Sequence, residues 1–538
     1  MIKSITIISK SGNESVIFNS NFDNQIAIPC ANLIDKSITS FDIEIVFSEQ
    51  ITAFRNHDYQ WANTNADCVA NTFSPKIIKL TNGFYVQSNC NQGIWEVKKL
   101  HPKKLLWHFN PQHSNALTNY SGNKNQKVIV NANPSFDNFI TPTLFFSKIG
   151  AIELSRSKIP FVATACFTDH CDFDTLESIQ KQRAFFKNKN IKVTKGFFLN
   201  HFSKRADNAS WEKDSEELQK WIVDGHELCY HSLSQSIKSE QESKNDFFSF
   251  SPPIPINTWI DHGYQPYNLS MFQKEGIASE AFSDNLAAKK INVLSNYIDS
   301  GTATSGVLNQ LNSDDFTLQS FYNGIKKFPL KKRISLFIKN AIIHFYADEN
   351  LIKNYSQLAS SYKKINQSKS IAAVVAFISK LFGVAIPILK IALFWSSSKK
   401  RVYPLAKYQN LFFEHTIGAN KFIVFQTIEL LDFINSLNQK SINKLLDEKG
   451  MFIAHTYFSV PMEYHDGRIF TKSGEIHPLV DANFDYLGQN IKENKIWNPT
   501  LKELVSFWKE FNKVELTLDE NGAICTKNKT EVPYRIIT

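Results

Sequence analysis

The sequence predicts an α/β architecture: a distorted (β/α)7–8 barrel behind an N-terminal β-sandwich-like domain, with a helical, membrane-associated insertion late in the barrel. Three observations predict it. Up to about residue 150 the chain reads as short alternating runs separated by Asn, Gly, Ser and Pro, without long helical periodicity. From about residue 151, buried-type strand runs alternate with helix-like runs, the texture of a parallel βα sheet. Polar, metal-competent side chains then recur at the C-terminal end of nearly every such strand, and in a barrel those ends share one mouth.

A chain of 538 residues asks for more than one domain. The expected division is an antiparallel β domain at 1–150, the first part of the barrel at 151–304, the insertion at 305–410, the second part of the barrel at 411–512, and a C-terminal hairpin or strands at 513–538. A composition of 43% hydrophobic and 21% charged residues is globular. A net charge of +9, with no basic arm or nucleic-acid motif, gives no reason to expect a nucleic-acid partner. It fits contact with an anionic membrane surface as well. The seven Cys are odd in number and form no CxxC, so a reduced chain is expected. The opening MIKSITIISKSGNES has neither a long apolar region nor a small-residue cleavage site. A cytoplasmic location, peripheral on the inner membrane face, is therefore expected.

In the N-terminal part, strand-like runs fall at Ile5–Ile8, Ser15–Phe18, Phe41–Phe47, Gly83–Gln87 and Gln126–Val130. Trp107, His108 and His113 read as core or surface residues there and announce no function. The barrel opens with FVATACFTDHCDFDT, Phe161 to Thr175. An apolar run ends abruptly in Asp169, His170, Asp172 and Asp174, and Thr175 is placed to cap a helix over Leu176–Lys189. IKVTKGFFLN (191–200) is the second strand, followed by an acidic amphipathic helix, Trp211–Val223. HELCYHS (226–232), INTWIDHG (256–263) and KINVLSNYIDSG (290–301) are the next three. KFIVFQTIE (421–429) and MFIAHTYFS (451–459) resume the pattern around a helix over Ser441–Lys449. Two helices within 483–511, the second opened by Asn498-Pro499-Thr500, complete the outer ring; a hairpin pairs 513–518 with 522–526.

The strand ends carry His170, His201, His231, His262 and His455 in phase. A single His there reads as a core histidine; five in phase point to a shared site. Between the fifth and sixth strands, the insertion carries KKFPLKKR (326–333) and IAAVVAFISKLFGVAIPILKIALFW (371–395), the most hydrophobic stretch of the chain. Its length matches a bilayer span. A lone spanning helix would, however, hold Lys380 near the bilayer centre at a cost of about 2.5–3.5 kcal/mol. An interfacial helix or hairpin with snorkelling lysines is the expected form, giving peripheral membrane contact through 326–401.

Phe167-Thr168-Asp169-His170-Cys171 at the end of the first strand, and Gly225-His226-Glu227 followed by His231-Ser232-Leu233-Ser234-Gln235, carry a resemblance. In order and placement they are similar to the T-F-D-D-G and G-H-E…H-[ST]-x-x-H motifs of the polysaccharide deacetylase (NodB-homology) superfamily. The resemblance covers 161 to about 300 and 421–459. It implies a metal-dependent hydrolase on a distorted barrel that removes acetyl groups from a polysaccharide or lipid-linked glycan, with a divalent metal, Zn²⁺ foremost. It implies Asp169 as general base, His170 and His231 as ligands, Ser232 as a support for the loop, and His455 as general acid. The sequence departs from the family where Asp becomes His170 and the second His becomes Gln235. Asp172 or His262 then has to complete the ligand set, and an imidazole in place of a carboxylate still leaves a workable N/O set for Zn²⁺. Trp259, Tyr264 and Tyr297 near the mouth suit stacking on a sugar ring, and equally suit core packing.

Two other function classes share this sequence. One is a glycoside hydrolase or lyase using paired carboxylates, such as Asp169 with Asp172 or Glu429. The other is a catalytically degenerate member that binds a glycan or scaffolds polysaccharide synthesis.

Overall fold

The computed structural model describes residues 1–16, 24–120, 127–135, 139–204, 208–262, 268–269, 279–299, 306–368, 371–430, 432–460 and 468–538. The N-terminal residues form two six-stranded antiparallel sheets. Phe41–Phe47 alternates strictly between buried and half-buried positions, the mark of a strand with one face on a core. Its inward side chains Phe41, Ile43, Ile45 and Phe47 meet Ile78, Val86, Leu144 and Phe146 of the facing sheet, with Trp95 and Trp107 between. This is the expected sandwich. The expected strand at Ser15–Phe18 runs into 17–23, outside the described residues.

Among the described residues, seven parallel strands follow one another in chain order and close into a barrel. They are Ala163–Asp169, Thr194–Phe197, Glu227–Tyr230, Thr258–Trp259, Val293–Asp299, Asn420–Glu429 and Met451–Thr456. The last pairs with the first from Thr164 against Met451 to Asp169 against Thr456, and the first also pairs with the second. A two-residue strand, Ile496–Trp497, pairs with Ala163 and Thr164 at the base. Phe412–Ile417 adds an antiparallel partner to the sixth strand.

Ala163–Asp169 is buried at every position, as a strand covered on both faces must be. The helices follow their local signals. Leu176–Asn188 starts at Thr175 through a reciprocal capping box with Ser178. Leu501–Asn512 starts at Thr500 through another with Glu503. The acidic helix runs over Trp211–Val223, the range read from the sequence.

The insertion is mostly helical over its described residues. Leu330–Asn340 leads through a π-helical turn, Ala341–Tyr346, into an antiparallel pair of long helices, Glu349–Ser368 and Ile371–Leu393. The C-terminal hairpin pairs Leu516–Leu518 with Ile524–Thr526. A last strand, Tyr534–Ile537, returns to pair with Ala151–Leu154 between sandwich and barrel. There the fully buried Glu153 binds Arg55 of the sandwich and Arg535 of the last strand, tying three distant segments. All seven cysteines are free thiols.

A second polar tie joins the sandwich to the end of the insertion. The buried Glu96 carboxylate accepts hydrogen bonds from Lys407 Nζ (2.8 Å) and Tyr408 Oη (2.9 Å) and meets His108 Nε2 at 3.0 Å. Burial alone would raise its pKa, but His108, Lys407 and Tyr408 outweigh it and hold Glu96 down to about 2. A carboxylate depressed in the fold stabilises above its unfolded pKa and loses that contribution as pH falls through the folded value. At about 1.4 kcal/mol per tenfold change in proton affinity, the tie is worth on the order of 3 kcal/mol. Urea unfolding of wild type and Glu96→Gln should therefore differ at pH 7, and the gap should close between the ordinary carboxylate range and about pH 2.

Candidate functional site

Strand alternation decides which strand-end groups face the barrel mouth. Side chains of successive strand residues point to opposite faces. Cys166, Cys229, Ile260, Val293, Phe425 and Ile453 form one buried cluster inside the barrel. Ala165, Phe167, Phe197, Leu228 and Leu294 pack outward with Ile179, Phe186 and Trp221 of the helices. His170, His231, His262 and His455 share the parity of the inner set. Asp169 and Lys195 share that of the outer set.

The inward set converges. Asp172, His231 and His262 bring their ligand atoms within 4.8 Å of one another. His231 Nε2 lies 3.2 Å from Asp172 Oδ2 and 3.0 Å from His262 Nδ1, which is 3.3 Å from Asp172 Oδ1. His262 Nε2 donates to the Gln235 carbonyl at 2.9 Å. That bond puts a proton on Nε2, so in the neutral ring Nδ1 is the lone-pair nitrogen facing the cluster. Gln235, the position where the deacetylase pattern has a ligand, thus contributes a carbonyl that orients His262.

The protonation states fit a cation. Burial pushes His231 down to about 4, with the neighbouring His262 adding to it. Burial alone would raise Asp172, but His262 and His231 outweigh it and hold the carboxylate well below its usual range. A neutral His231 and an ionised Asp172 are the forms of those two groups that bind a divalent metal. Two imidazole nitrogens and one carboxylate are a donor set suited to Zn²⁺ and open to further ligands.

His170, expected as a ligand, stands beside this cluster rather than in it. Its ring stacks on His455 with centroids 3.9 Å apart and meets His231 edge-on at 4.5 Å. Tyr457 lies 5.0 Å from both His170 and His455. The stack is set by staples between the first and seventh strands. Thr168 Oγ1 donates to the Ala454 carbonyl (2.7 Å), Thr456 Oγ1 to the Thr168 carbonyl (2.9 Å), and the His170 N–H to the Thr456 carbonyl (2.9 Å). Burial, then His455 and His231, drive the His170 pKa well below its ordinary value.

Asp169, expected as the general base, faces the helical layer and is fully buried. Its Oδ2 accepts from Lys195 Nζ and its Oδ1 from the Phe458 N–H (3.2 Å). Lys195 Nζ also donates to Asp174 Oδ2 and to Gln182 Oε1 (2.9 Å) on the first helix. Burial and the Asp174 charge push Asp169 up to about 7 against the opposing pull of Lys195. The two ends of the turn 169–174 are thus pinned to one ammonium, and Asp172 sits between them. Two residues beside this cluster hold left-handed backbone without being glycine, Phe173 (φ 64°) and Ser232 (φ 90°). Gly196 permits the close strand approach: a Cβ there would lie 2.4 Å from the Asp169 carbonyl oxygen.

The other expected residues divide. Trp259, read as a sugar platform, is 3% exposed and packs in the core with Tyr230, Phe247 and Phe250. Its flat ring fills the gap between barrel and helices because position 259 has the outward parity. Tyr264 lies outside the described residues; Tyr297 belongs to the fifth strand, but its side chain is outside them too. His201 bonds Ser210 Oγ at 3.3 Å, away from the cluster. His226 and Glu227 belong to the base of the barrel, where Glu227 accepts from Thr194, Thr258 and the Lys502 N–H. Lys195, Asp174, Gln182 and the half-buried Tyr457 were missed as supports or neighbours of the site. A lysine at an outward position of an otherwise buried strand was the available signal.

No family model and no curated protein matches the chain. Among solved structures, it is similar to a Flavobacterium johnsoniae GH31 dextranase variant complexed with isomaltotriose, at 7% identity and a TM-score of 0.23 over 63% of this chain. The chain spans about half of that protein's length, 53%. The same dextranase complexed with glucose matches at 8% identity and a TM-score of 0.25, covering 99% of this chain and 69% of the other. Likenesses at this level carry no structural argument.

Removing the ammonium from the clamp would leave two buried carboxylates facing each other. Lys195→Met should cost about 3–5 kcal/mol in urea unfolding. The double variant with Asp169→Asn should recover part of that loss, since one uncompensated charge is gone. Full additivity of the two changes would show that the clamp does not act as a unit.

Proposed function

We propose that the chain is a metal-dependent hydrolase of carbohydrate, with Asp172, His231 and His262 as the metal ligands and glycan deacetylation as the reaction. The convergence of those three ligand atoms carries the reading. The glycan assignment is supported by the motif order shared with polysaccharide deacetylases. A divalent cation held by Asp172, His231 and His262 would supply Lewis acidity for an acyl carbonyl and for water. The chain's own residues do the rest. Gln235 holds His262 in its ligating tautomer, and the Lys195 clamp holds Asp172 toward the imidazoles. Moving protons falls to the stacked pair His170 and His455, not to Asp169, whose oxygens are both engaged. Tyr457, half-buried beside that pair, is the aromatic placed to meet a sugar ring.

A second reading is a glycosidase with paired carboxylates. One observation favours it: Asp169 is pushed up to about 7 while Asp172 is held low, the split that separates an acid from its partner. The burial of Asp169 against the helices opposes it.

Elemental analysis of the purified chain separates the two. About one equivalent of Zn²⁺ or a similar metal per chain is expected, lost in His231→Ala, together with acetate release from acetylated glycans that EDTA abolishes. His455→Gln should keep the metal and lower kcat by about 10²–10⁴. Absence of metal after reconstitution, with reducing sugar released in EDTA, would replace this reading by the second.

A further inference from the structure

The helix Ile371–Leu393 buries only one face. Val384 packs with Ile342 and Leu351, Ile391 joins the main core, Lys380 Nζ bonds Asn354 Oδ1 (3.4 Å), and Tyr346 donates to the Pro387 carbonyl (2.7 Å). Ile371, Val375, Ile378, Phe382, Ile386, Leu389 and Leu393 recur every three or four residues and stand exposed, from 50% at Ile386 to 81% at Ile371. That is one unbroken apolar stripe of about 35 Å at 1.5 Å per residue. Lys380 does not interrupt it, because it points to the partner helix. Past the exposed Phe394, Trp395 lies tilted against Phe337 with ring centroids 6.0 Å apart, both packed on the core, and Leu330 and Ile334 stand exposed on the helix of Phe337.

Charge says what covers the stripe. Residues 326–401 hold fifteen Lys and Arg against two Asp and Glu, whereas the whole chain holds 60 against 51. Outside this segment acids outnumber bases, so the chain's positive balance is concentrated here. The bases flank the stripe at both ends, with Lys363 and Lys364 at the tip of the hairpin, and Lys331, Lys332, Lys400 and Arg401 at its root, all exposed. A second copy of the same face would bring like charges together.

We infer that this hairpin docks the protein on an anionic lipid bilayer, the stripe lying in the interface and the flanking lysines and arginines reaching phosphate headgroups. The helix lies in the surface and does not cross it, because its other face is bonded to the rest of the insertion. The inference is independent of the metal reading.

Co-sedimentation with phosphatidylcholine vesicles, with and without phosphatidylglycerol, tests it on the full chain. Wild type should bind the phosphatidylglycerol vesicles at least about tenfold more tightly than phosphatidylcholine alone, and salt should weaken it. Replacing Lys331, Lys332 and Arg333 with Gln should weaken binding on the order of a hundredfold. The pair Ile378→Glu and Phe382→Glu changes only exposed positions and should reduce binding to background. Light scattering without lipid runs alongside. Wild type left in the supernatant would overturn the inference, as would binding that the Glu pair does not affect. A lipid-free dimer that the Glu pair dissociates, without vesicle binding, would assign the stripe to a second copy of the chain and overturn it too.

Discussion

The site depends on one buried ammonium. Lys195 takes a carboxylate from each end of the turn that carries Asp172, and a helix amide as well, in a space without solvent. Three charges with a net of −1 are costly in a dry interior unless geometry is fixed closely. That cost is what makes the turn single-valued. Asp169 ends the first strand, Asp174 precedes the cap of the first helix, and Lys195 lies on the second strand, so three elements must be in register before Asp172 reaches His231. Gly196 belongs to the same constraint, since only a missing Cβ lets the first strand come this close. Specificity of arrangement, rather than stability, is the gain.

Much of the frame was legible in the sequence because its signals are local. Most of the seven barrel strands lie in short apolar runs with polar ends, and such runs are read locally. Thr175 and Thr500 announced their helices through capping chemistry that spans three residues. The Glu153 tie was not legible: Arg55 and Arg535 reach it from opposite ends of the chain, and nothing local marks them as partners. Parity was legible but outweighed by motif order. Counting by twos from Cys166 sends His170 inward and Asp169 outward, whereas the resemblance to T-F-D-D-G gave Asp169 the catalytic role. Trp259 fails as a platform for the same reason.

On the proposed deacetylase reading, the motif pattern and the fold place the donor groups differently. His170 stands where the deacetylase pattern has a metal-binding Asp, and Gln235 where it has a His. In the fold, the proposed carboxylate ligand is Asp172, two residues on, and the proposed imidazole ligand is His262, after the next strand, where its Nε2 bonds the Gln235 carbonyl. That reading asks for one carboxylate and two imidazoles, and Asp172, His231 and His262 bring those groups together although two motif positions differ. The displaced His170 is not idle space-filling: it is the ring on which His455 stacks.

The barrel and the insertion divide the chain's physical work. The mouth groups are nearly all buried, so their pKa values are set by burial and by one another, and the site tolerates little change around it. The insertion does the reverse. It leaves an apolar stripe in the open, where an isolated soluble surface would place polar groups, and it concentrates the positive charge beside it. A stripe of this length is costly in water and favourable at a lipid interface, while the flanking charges add attraction that a neutral apolar partner would not reward. The two features together discriminate between surfaces better than either does alone: apolar contact without charge would favour self-association, and charge without apolar contact would favour any polyanion. Because the stripe faces away from the bonded side of its helix, the proposed docking would require no rearrangement of the hairpin, and the barrel would keep its geometry.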